Sequence, residues 1–243
     1  MIRGIFNLLK DRSLRRQWRF LALVKTSRWL MPQYRLPWPQ IGWWYDEAFN
    51  DYLKRFGEFS GFNSDRRWMI GQMTKLAQNV PGDTAECGVL AGSSSYLISR
   101  AFHDRTHFMF DSFEGLSKPG SFDGDCWQER HLTSDLKTAQ DNLRDCPNVS
   151  FHKGWIPERF KDVESRKFCF VHIDVQLYEP TRDSLQFFYP RMSHGGLIVC
   201  DDYGFTTCPG ATRAVDEFLR DKPEQVIGLS CGSAFFIKQP RQE

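Results

Sequence analysis

Short apolar runs alternate with segments of helical periodicity over residues 65–238. The runs typical of strands span residues 84–89, 106–110, 149–152, 168–174, 195–202, 225–229 and 234–237, and helices are predicted over residues 66–78, 93–102, 131–143, 181–188 and 211–219. Because strands that alternate with helices form parallel sheets covered on both faces, this order predicts a doubly wound α/β fold. The last two strands predict an antiparallel hairpin, which completes a mostly parallel seven-stranded sheet.

A different pattern occupies the first sixty residues. Leu14, Trp18, Leu21 and Val24 recur at helical spacing, and three prolines between positions 32 and 39 end the segment. Aromatic residues crowd positions 41–60, which is typical of a lid over a site or of core packing. We therefore expect a basic, aromatic-rich helical arm and lid over residues 1–60, followed by one domain over residues 61–243.

The net charge of +2 hides an uneven distribution. Residues 1–40 hold nine Lys or Arg side chains against one acid, whereas residues 41–243 hold 23 basic against 29 acidic side chains. The arm either packs on the domain or a second subunit, or lies on an anionic membrane with Trp18, Phe20 and Trp29 among the lipids. The acidic domain argues against a nucleic-acid partner. The candidate partners are thus a small-molecule substrate, a second copy of the chain and, through residues 1–30, a membrane surface.

Seven cysteines occur at irregular spacings without a CxxC pair. Cys87, Cys169 and Cys200 lie within apolar strand-like runs, where a free thiol packs as a small hydrophobe. This usage favours a reducing, cytoplasmic compartment and disfavours a zinc site. We predict neither a signal peptide nor a transmembrane helix from the apolar runs of the sequence.

Carboxylates end two of the predicted strands. Asp174 follows the run 168–173, and Asp201 and Asp202 follow the run 195–200. Because ligands of open α/β sheets bind outside the carboxyl ends of the strands, we expect these three side chains to converge there. Clustered carboxylates raise each other's pKa unless a cation neutralises them. The arrangement predicts a site for a hard metal ion that faces a bound small molecule.

A glycine-containing turn lies between the first predicted strand and the next helix. Gly88 and Gly92 let the backbone approach a ligand, and the helix that begins at Ser93 presents free N–H groups. Asp111 ends the following strand, 25 residues after Glu86, where an acid can accept hydrogen bonds from both ribose hydroxyls of a nucleoside. The alternative for the turn is helix–strand packing alone. Together the two features favour a nucleoside cofactor.

These motifs, in this order, resemble the macrocin O-methyltransferase family. The resemblance rests on Glu86-Cys-Gly88 with Gly92-Ser93-Ser94, the segment from Phe110 to Leu116, Ile173-Asp174 with Tyr178, Asp201-Asp202-Tyr203, and Pro209-Gly210-Ala211. It covers about residues 60–238 and leaves out residues 1–40. It implies a class I, S-adenosylmethionine-dependent methyltransferase with a Rossmann-like fold that uses Mg²⁺ to methylate hydroxyls, typically on sugars of natural products.

The resemblance also implies roles for individual residues. The implied cofactor pocket consists of Glu86, Gly88, Gly92, Ser93, Asp111 and Ser112. Within it, Glu86 would lie near the methionine end and Asp111 at the ribose. The implied Mg²⁺ ligands are Asp174, Asp201 and Asp202, which suit an ion that prefers oxygen ligands and keeps several waters. A hydroxyl bound to such an ion has a lowered pKa and is aimed at the sulfonium methyl group.

Two residues compete for the role of general base. Catechol-type methyltransferases place a lysine three residues after the first aspartate, and here that position is Leu177. Asp174 can then serve as metal ligand and base together. His131, beside the polar loop, is the rival base, although a structural place at the start of a helix explains it as well. His172 is expected to be partly buried and structural.

The polar loop over residues 117–129 is long enough to be mobile. Its acids Asp123, Asp125 and Glu129 either contact the adenine or the acceptor sugar, or are solvated.

Three functions remain at this point. A non-catalytic protein that binds a nucleoside cofactor, recruited to a membrane or complex by its basic arm, would keep the pocket but has no use for three repelling carboxylates. A nicotinamide-dependent oxidoreductase would need the GxGxxG motif, which is missing. The prediction is therefore Mg²⁺-dependent methyl transfer from S-adenosylmethionine to a hydroxyl of a sugar or glycosylated metabolite, with Asp174 as the base.

Overall fold

The computed structural model describes residues 12–37 and 41–240 and, in its first helix, the side chains from residue 17 onward. The chain divides into two compact units, Met1–Tyr52 and Leu53–Glu243. In the first unit, helix α1 spans Arg12–Leu30 and a 3₁₀ turn spans Gly42–Tyr45. Helix α2 spans Glu47–Arg55 and contains the boundary between the units. A helix in the arm is thus confirmed. The proposed membrane contact of residues 1–30 falls partly on residues 1–11, outside the described residues, and stays a prediction.

Among the described residues, seven strands form one sheet. They are β1 Asp83–Cys87, β2 His107–Asp111, β3 Val149–Lys153, β4 Phe168–Ile173, β5 Met192–Cys200, β6 Ile227–Gly228 and β7 Ala234–Ile237. Their order is β3-β2-β1-β4-β5-β7-β6. Strands β1 to β5 pair in parallel, and β7 pairs antiparallel with β5 and β6. The predicted doubly wound, mostly parallel sheet with its C-terminal antiparallel hairpin is confirmed.

The helices of the second unit occur in the predicted order, and their bounds differ most from the prediction at the start of the third of them. They are α3 Ser64–Ala77, α4 Ser93–Ala101, α5 Leu136–Asn142, α6 Tyr178–Phe188 and α7 Pro209–Leu219, with 3₁₀ turns at Glu158–Val163 and Tyr189–Arg191. Helix α5 begins later than predicted because Arg130 and Leu132 have φ of +67° and +60°, which a right-handed helix excludes. Asp135 caps α5 instead, by accepting a hydrogen bond from the Lys137 N–H at 3.2 Å.

Strand β4 lies at the centre of the sheet, and all six of its residues are buried. Val171 and Ile173 join a hydrophobic cluster that includes Leu185 of α6. Phe170 belongs to a second cluster, with Ile70 of α3 and Ile98 of α4. Helices therefore cover both sides of the sheet, which explains why its strands read as continuous apolar runs.

The direction in which successive strands are added to the sheet reverses at its middle. From β1 the chain proceeds outward through β2 to β3, and it then returns to β4 on the other side of β1. Ligands of doubly wound sheets bind at such a switch point, outside the carboxyl ends of the strands. A binding site is therefore expected at the carboxyl ends of β1, β2 and β4.

No helix within residues 12–37 and 41–240 has both the length and the apolar character required to cross a bilayer.

Candidate cofactor and metal site

A cavity of about 500 Å³ opens at the carboxyl ends of the central strands. Five of the residues predicted for the site border it: Gly88, Ser93, Asp111, Ser112 and Asp174. Four others do not border it: Glu86, Gly92, Asp201 and Asp202. The cavity thus unites the glycine turn, the Asp111 end of β2 and the first of the three aspartates.

Gly88 brings the ends of β1 and β4 into contact. Its φ is +87°, and a Cβ added there would clash with the backbone oxygen of Asp174. The Gly88 N–H donates to Phe110 O at 2.9 Å, and the Asp174 N–H donates to Cys87 O at 2.8 Å. Only glycine combines this backbone angle with so close an approach.

Asp111 ties the β1 and β2 loops together through backbone hydrogen bonds. Its Oδ2 accepts from the N–H groups of Val89 and Leu90 at 2.7 and 3.0 Å, and its Oδ1 accepts from Phe113 N–H at 2.7 Å. Leu90 and Phe113 have φ of +49° and +58°, a conformation that these contacts help to stabilise. The carboxylate is therefore fixed in direction at the cavity wall.

Glu86 lies elsewhere than predicted. Its side chain is fully buried and faces neighbouring strands instead of the cavity. It accepts a short hydrogen bond from Ser95 Oγ, and its carboxylate lies 2.8 Å from His172 Nδ1 and 3.6 Å from His107 Nε2. Burial opposes its ionisation, but the adjacent imidazoles of His107 and His172 outweigh burial and hold the pKa of Glu86 well below its usual range.

His172 is more deeply buried than expected, and it links Glu86 to the aspartates. Its side chain is 0% exposed, and its Nε2 lies 3.7 Å from Asp201 Oδ1. Burial disfavours the imidazolium, but the adjacent carboxylates of Asp201 and Glu86 outweigh burial and raise the pKa of His172 to about 10. His172 therefore lies between two carboxylates that favour its protonated form.

The three aspartates do converge. Gln176 Nε2 donates to Asp174 Oδ1 at 2.7 Å and lies 3.5 Å from Asp202 Oδ1, and the Gln176 N–H donates to Asp202 Oδ2 at 2.8 Å. Asp201 accepts from Ser233 Oγ at 2.9 Å and forms a close ion pair with Arg66. Arg66 also lies 3.9 Å from Asp174.

The pKa values of the three carboxyl groups are shifted in different directions. Burial and the neighbouring aspartates raise the pKa of Asp174 well above its ordinary value, and burial with Asp201 raises the pKa of Asp202. Burial acts in the same sense on Asp201, but His172 and Arg66 outweigh it and hold the pKa of Asp201 well below its ordinary value. A proton on Asp174 or Asp202, or a bound cation, relieves this repulsion.

The chemistry of the donors fits a hard divalent cation. Asp174, Asp201 and His172 each offer one ligand atom within 4.8 Å of the others, and the carboxylates among them are the ligands that Mg²⁺ prefers. In this structure Arg66 supplies the positive charge at Asp201. A cation that binds both Asp174 and Asp201 would therefore have to displace the Arg66 guanidinium from Asp201.

The sequence model of the macrocin-O-methyltransferase (TylF) family matches residues 70–227. This chain belongs to that family.

Curated relatives of this macrocin-O-methyltransferase family member are O-methyltransferases, according to their names. A demethyldecarbamoylnovobiocin O-methyltransferase of Streptomyces niveus is 32% identical over 59% of this chain and 60% of its own length. An 8-demethyl-8-(2,3-dimethoxy-alpha-L-rhamnosyl)-tetracenomycin-C 4'-O-methyltransferase of Streptomyces olivaceus is 32% identical over 57% of this chain and 59% of its own. The chain thus spans about three fifths of the length of these relatives.

Solved structures agree with the fold. The O-methyltransferase NovP has a TM-score of 0.60 at 29% identity, over 72% of this chain and 80% of that chain. The calicheamicin methyltransferase CalS11 has a TM-score of 0.63 at 16% identity, over 93% of both chains. At 16% identity, the similarity to CalS11 shows a common fold only.

The polar loop of this macrocin-O-methyltransferase family member is anchored by one of its acids. Asp123 is buried, and its carboxylate accepts from the N–H groups of Gly120 and Tyr178, both at 2.7 Å. Asp125 and Glu129 are exposed, and none of the three borders the cavity. Asp123 therefore fixes the loop to the start of α6, a role that neither interpretation of the sequence included.

The rival base does not reach the cavity. His131 is exposed, and its Nδ1 accepts a hydrogen bond from the Gln128 N–H at 3.2 Å. It lies in the loop, not at the start of a helix as predicted. Leu177 occupies the position where catechol-type methyltransferases have a lysine. It borders the cavity and supplies no amine there.

Sequence reasoning missed the basic side chains of α3. Arg66 pairs with Asp201, and Arg67 Nη1 lies 3.8 Å from the same carboxylate. A signal was available, because two adjacent arginines in the first turn of a helix oppose the helix dipole. Such a placement indicates that a carboxylate elsewhere in the fold compensates the charge.

Proposed function

We propose that this chain transfers a methyl group from S-adenosylmethionine to a hydroxyl of a sugar or glycosylated small molecule, and that Mg²⁺ assists the transfer. The observation that carries the proposal is that Gly88, Asp111 and Asp174, at the ends of three neighbouring strands, border one cavity. The family assignment and the names of the curated relatives support the reaction and the class of acceptor.

The cofactor side of the cavity follows the strand order. Asp111 ends β2 and Ser112 follows it; a fixed carboxylate at this place suits the ribose hydroxyls. Gly88 and Ser93 flank the turn that leads into α4, whose N–H groups suit an anionic group of the cofactor. Bound there, S-adenosylmethionine supplies an electrophilic methyl group on its sulfonium. The two remaining residues of the predicted cofactor set, Glu86 and Gly92, do not border the cavity, and we give them no contact with the cofactor.

The metal side belongs to Asp174, Asp201 and Asp202. Mg²⁺ bound to these carboxylates would lower the pKa of an acceptor hydroxyl and orient it. Asp174 is the one of the three that borders the cavity, where an acceptor hydroxyl would lie. We assign it the removal of the hydroxyl proton, with alignment of the reactants supplying much of the rate.

The test is methyl transfer from radiolabelled S-adenosylmethionine to a panel of deoxysugar glycosides. We expect Asp174→Asn to lower the rate about 100-fold or more, and EDTA or Asp202→Asn to lower it strongly. Binding of S-adenosylhomocysteine, measured by calorimetry, should change little in both variants. The exposed Asp104→Asn, 67% exposed in the native protein, is the matched control.

Each part of the proposal can fail separately. Full activity after chelation would contradict the metal role and leave methyl transfer standing. Cofactor binding without turnover of any glycoside would instead support the non-catalytic, nucleoside-binding alternative.

A further inference from the structure

Helix α1 presents large apolar side chains to solvent. Trp18 and Trp29 are 56% and 81% exposed, and Leu21 is exposed as well. With about 3.6 residues per turn, these three positions lie within about 80° of one another around the helix axis. They therefore form one continuous apolar surface, which we call the tryptophan face.

A different sector of α1 is shielded from solvent. Phe20, Val24 and Ser27 are half-buried, and their positions lie about 100–160° around the axis from the middle of the tryptophan face. The sequence pattern groups Phe20 with the two tryptophans as lipid contacts, whereas the helix places it in this shielded sector. The exposed Leu23 borders the same sector. The contact surface that α1 offers to a partner is therefore the tryptophan face.

Cations surround the tryptophan face. Arg19, Lys25 and Arg28 are exposed; the position of Lys25 falls within the face, and the two arginines lie on either side of it. A long basic side chain can lay its apolar stem along such a surface while its charged end reaches a polar layer. Residues 12–30 contain six Lys or Arg and no Asp or Glu. The helix is thus cationic throughout, with tryptophan at two of its exposed positions.

This pattern of charge selects the partner. If two copies of α1 packed face to face, their cations would lie side by side, and neither helix has an acid to pair with them. A bilayer that contains anionic phospholipids supplies the opposite charge, and each Lys or Arg near its surface strengthens binding about fivefold. Tryptophan favours the same layer, because its ring is apolar and its indole N–H requires a polar partner.

We propose that the tryptophan face of α1 binds the surface of a membrane that contains anionic phospholipids, with the helix axis parallel to the bilayer. The two tryptophans and Leu21 enter the layer between the headgroups and the acyl chains, and Arg19, Lys25 and Arg28 contact lipid phosphates. The inference concerns where the protein binds and is independent of the proposed methyl transfer.

Sedimentation of the full-length protein with sucrose-loaded vesicles measures this binding. Vesicles of phosphatidylcholine alone are compared with vesicles of equal parts phosphatidylcholine and phosphatidylglycerol. The wild type should bind the anionic vesicles at least about 10-fold more tightly, because several cations each contribute about fivefold. Raising the salt concentration from about 0.05 M to about 0.5 M should weaken that binding, since salt screens charges at the surface.

A charge variant tests the contribution of the arginines. Arg19→Gln combined with Arg28→Gln should weaken binding to the anionic vesicles about 10- to 30-fold. The matched control is Arg130→Gln combined with Arg144→Gln, which removes the same number of charges from positions of the second unit that are 66% and 79% exposed. The control should bind nearly as the wild type does.

An aromatic variant tests the contribution of the rings. Trp18→Ala combined with Trp29→Ala should weaken binding to the anionic vesicles about 10-fold or more, because the apolar area that the lipids cover is lost. Phe62→Ala is the control, since the Phe62 ring is exposed in the second unit. Circular dichroism verifies that each variant is folded. Should the aromatic variant not fold, the charge variant and the lipid and salt dependence of the wild type decide.

Several outcomes would overturn the inference. One is that the wild type does not bind anionic vesicles at low salt. Another is an equal loss in the Arg130 and Arg144 control, which would indicate attraction by charge at any position. A third is association of the protein with itself in sedimentation velocity that the aromatic variant abolishes, because the face would then join two copies of the chain. Methyl transfer to a soluble glycoside is measured separately, so its failure would leave this inference standing.

Discussion

Arg66 is the residue on which the charge balance of the aspartates depends. Its guanidinium pairs with Asp201, lies 3.9 Å from Asp174 and stands over the Phe205 ring at 5.1 Å. The side chains of Arg66 and Asp201 are 14% and 0% exposed, so water solvates the Asp201 carboxylate poorly. Arg66 and a divalent cation therefore compete for the same oxygen atoms.

Loss of the Arg66 charge should destabilise the protein. Arg66→Met should lower the free energy of unfolding by about 3 kcal/mol, because a buried carboxylate loses its partner. Mg²⁺ at millimolar concentration should stabilise the variant more than the wild type. Urea denaturation with and without Mg²⁺ measures both effects, and Arg144→Met is the control. A variant as stable as the wild type would contradict the role given to Arg66.

At the scale of elements, Glu224 connects the edge of the sheet to the end of α6. Its Oε2 accepts from Tyr189 Oη at 2.8 Å, and its Oε1 accepts from the Gln239 N–H at 3.0 Å and from Lys238 Nζ at 3.1 Å. The residue is buried. Burial opposes ionisation, but these hydrogen bonds outweigh burial and hold the pKa of Glu224 below its ordinary value.

This connection makes stability depend on pH in a defined direction. A carboxyl group whose pKa is lower in the folded than in the unfolded state stabilises the fold above its unfolded pKa of about 4.3. The contribution is lost as the pH falls through the folded pKa. Glu224→Gln should therefore lower the free energy of unfolding by about 1–3 kcal/mol at pH 7.

The difference between Glu224→Gln and wild type should shrink below pH 4, where the native carboxyl group is itself protonated. Urea denaturation across pH 3–7 measures it. Glu164→Gln, at an exposed position, provides the baseline. A difference that is constant over this range would contradict an ionised Glu224.

At the scale of the whole molecule, the order of the strands creates the site. Residues from three strand ends meet in one cavity because β2, β1 and β4 are adjacent although they are not consecutive in the chain. A ligand that binds there contacts loops from several separate parts of the second unit. Its binding energy is therefore added to the stability of that whole unit.

S-adenosylhomocysteine should accordingly raise the melting temperature. At 100 times its dissociation constant, a ligand specific for the folded state contributes about 2.7 kcal/mol, which corresponds to a shift of about 5–10 °C for a chain of this size. Scanning calorimetry measures the shift, with adenine at the same concentration as the control. An unchanged melting temperature at saturation would contradict a cofactor site formed by these loops.

The sequence by itself determined the elements of this protein and the carboxylates at their ends. Buried strands are short apolar runs, and a polar residue at the end of such a run has to lie at the edge of the sheet. Asp111, Asp174 and the pair Asp201-Asp202 could be found in this way. Gly88 could be found because a backbone turn that approaches another strand favours glycine.

Only the tertiary structure decided which side chains meet these carboxylates. The family resemblance implies that Glu86 lies in the cofactor pocket, but its partners His107 and His172 come from the adjacent strands. Arg66 reaches Asp201 across 135 positions of the chain. Local periodicity carries no information on such distances, because they depend on the order of the strands and on the helix that packs across them.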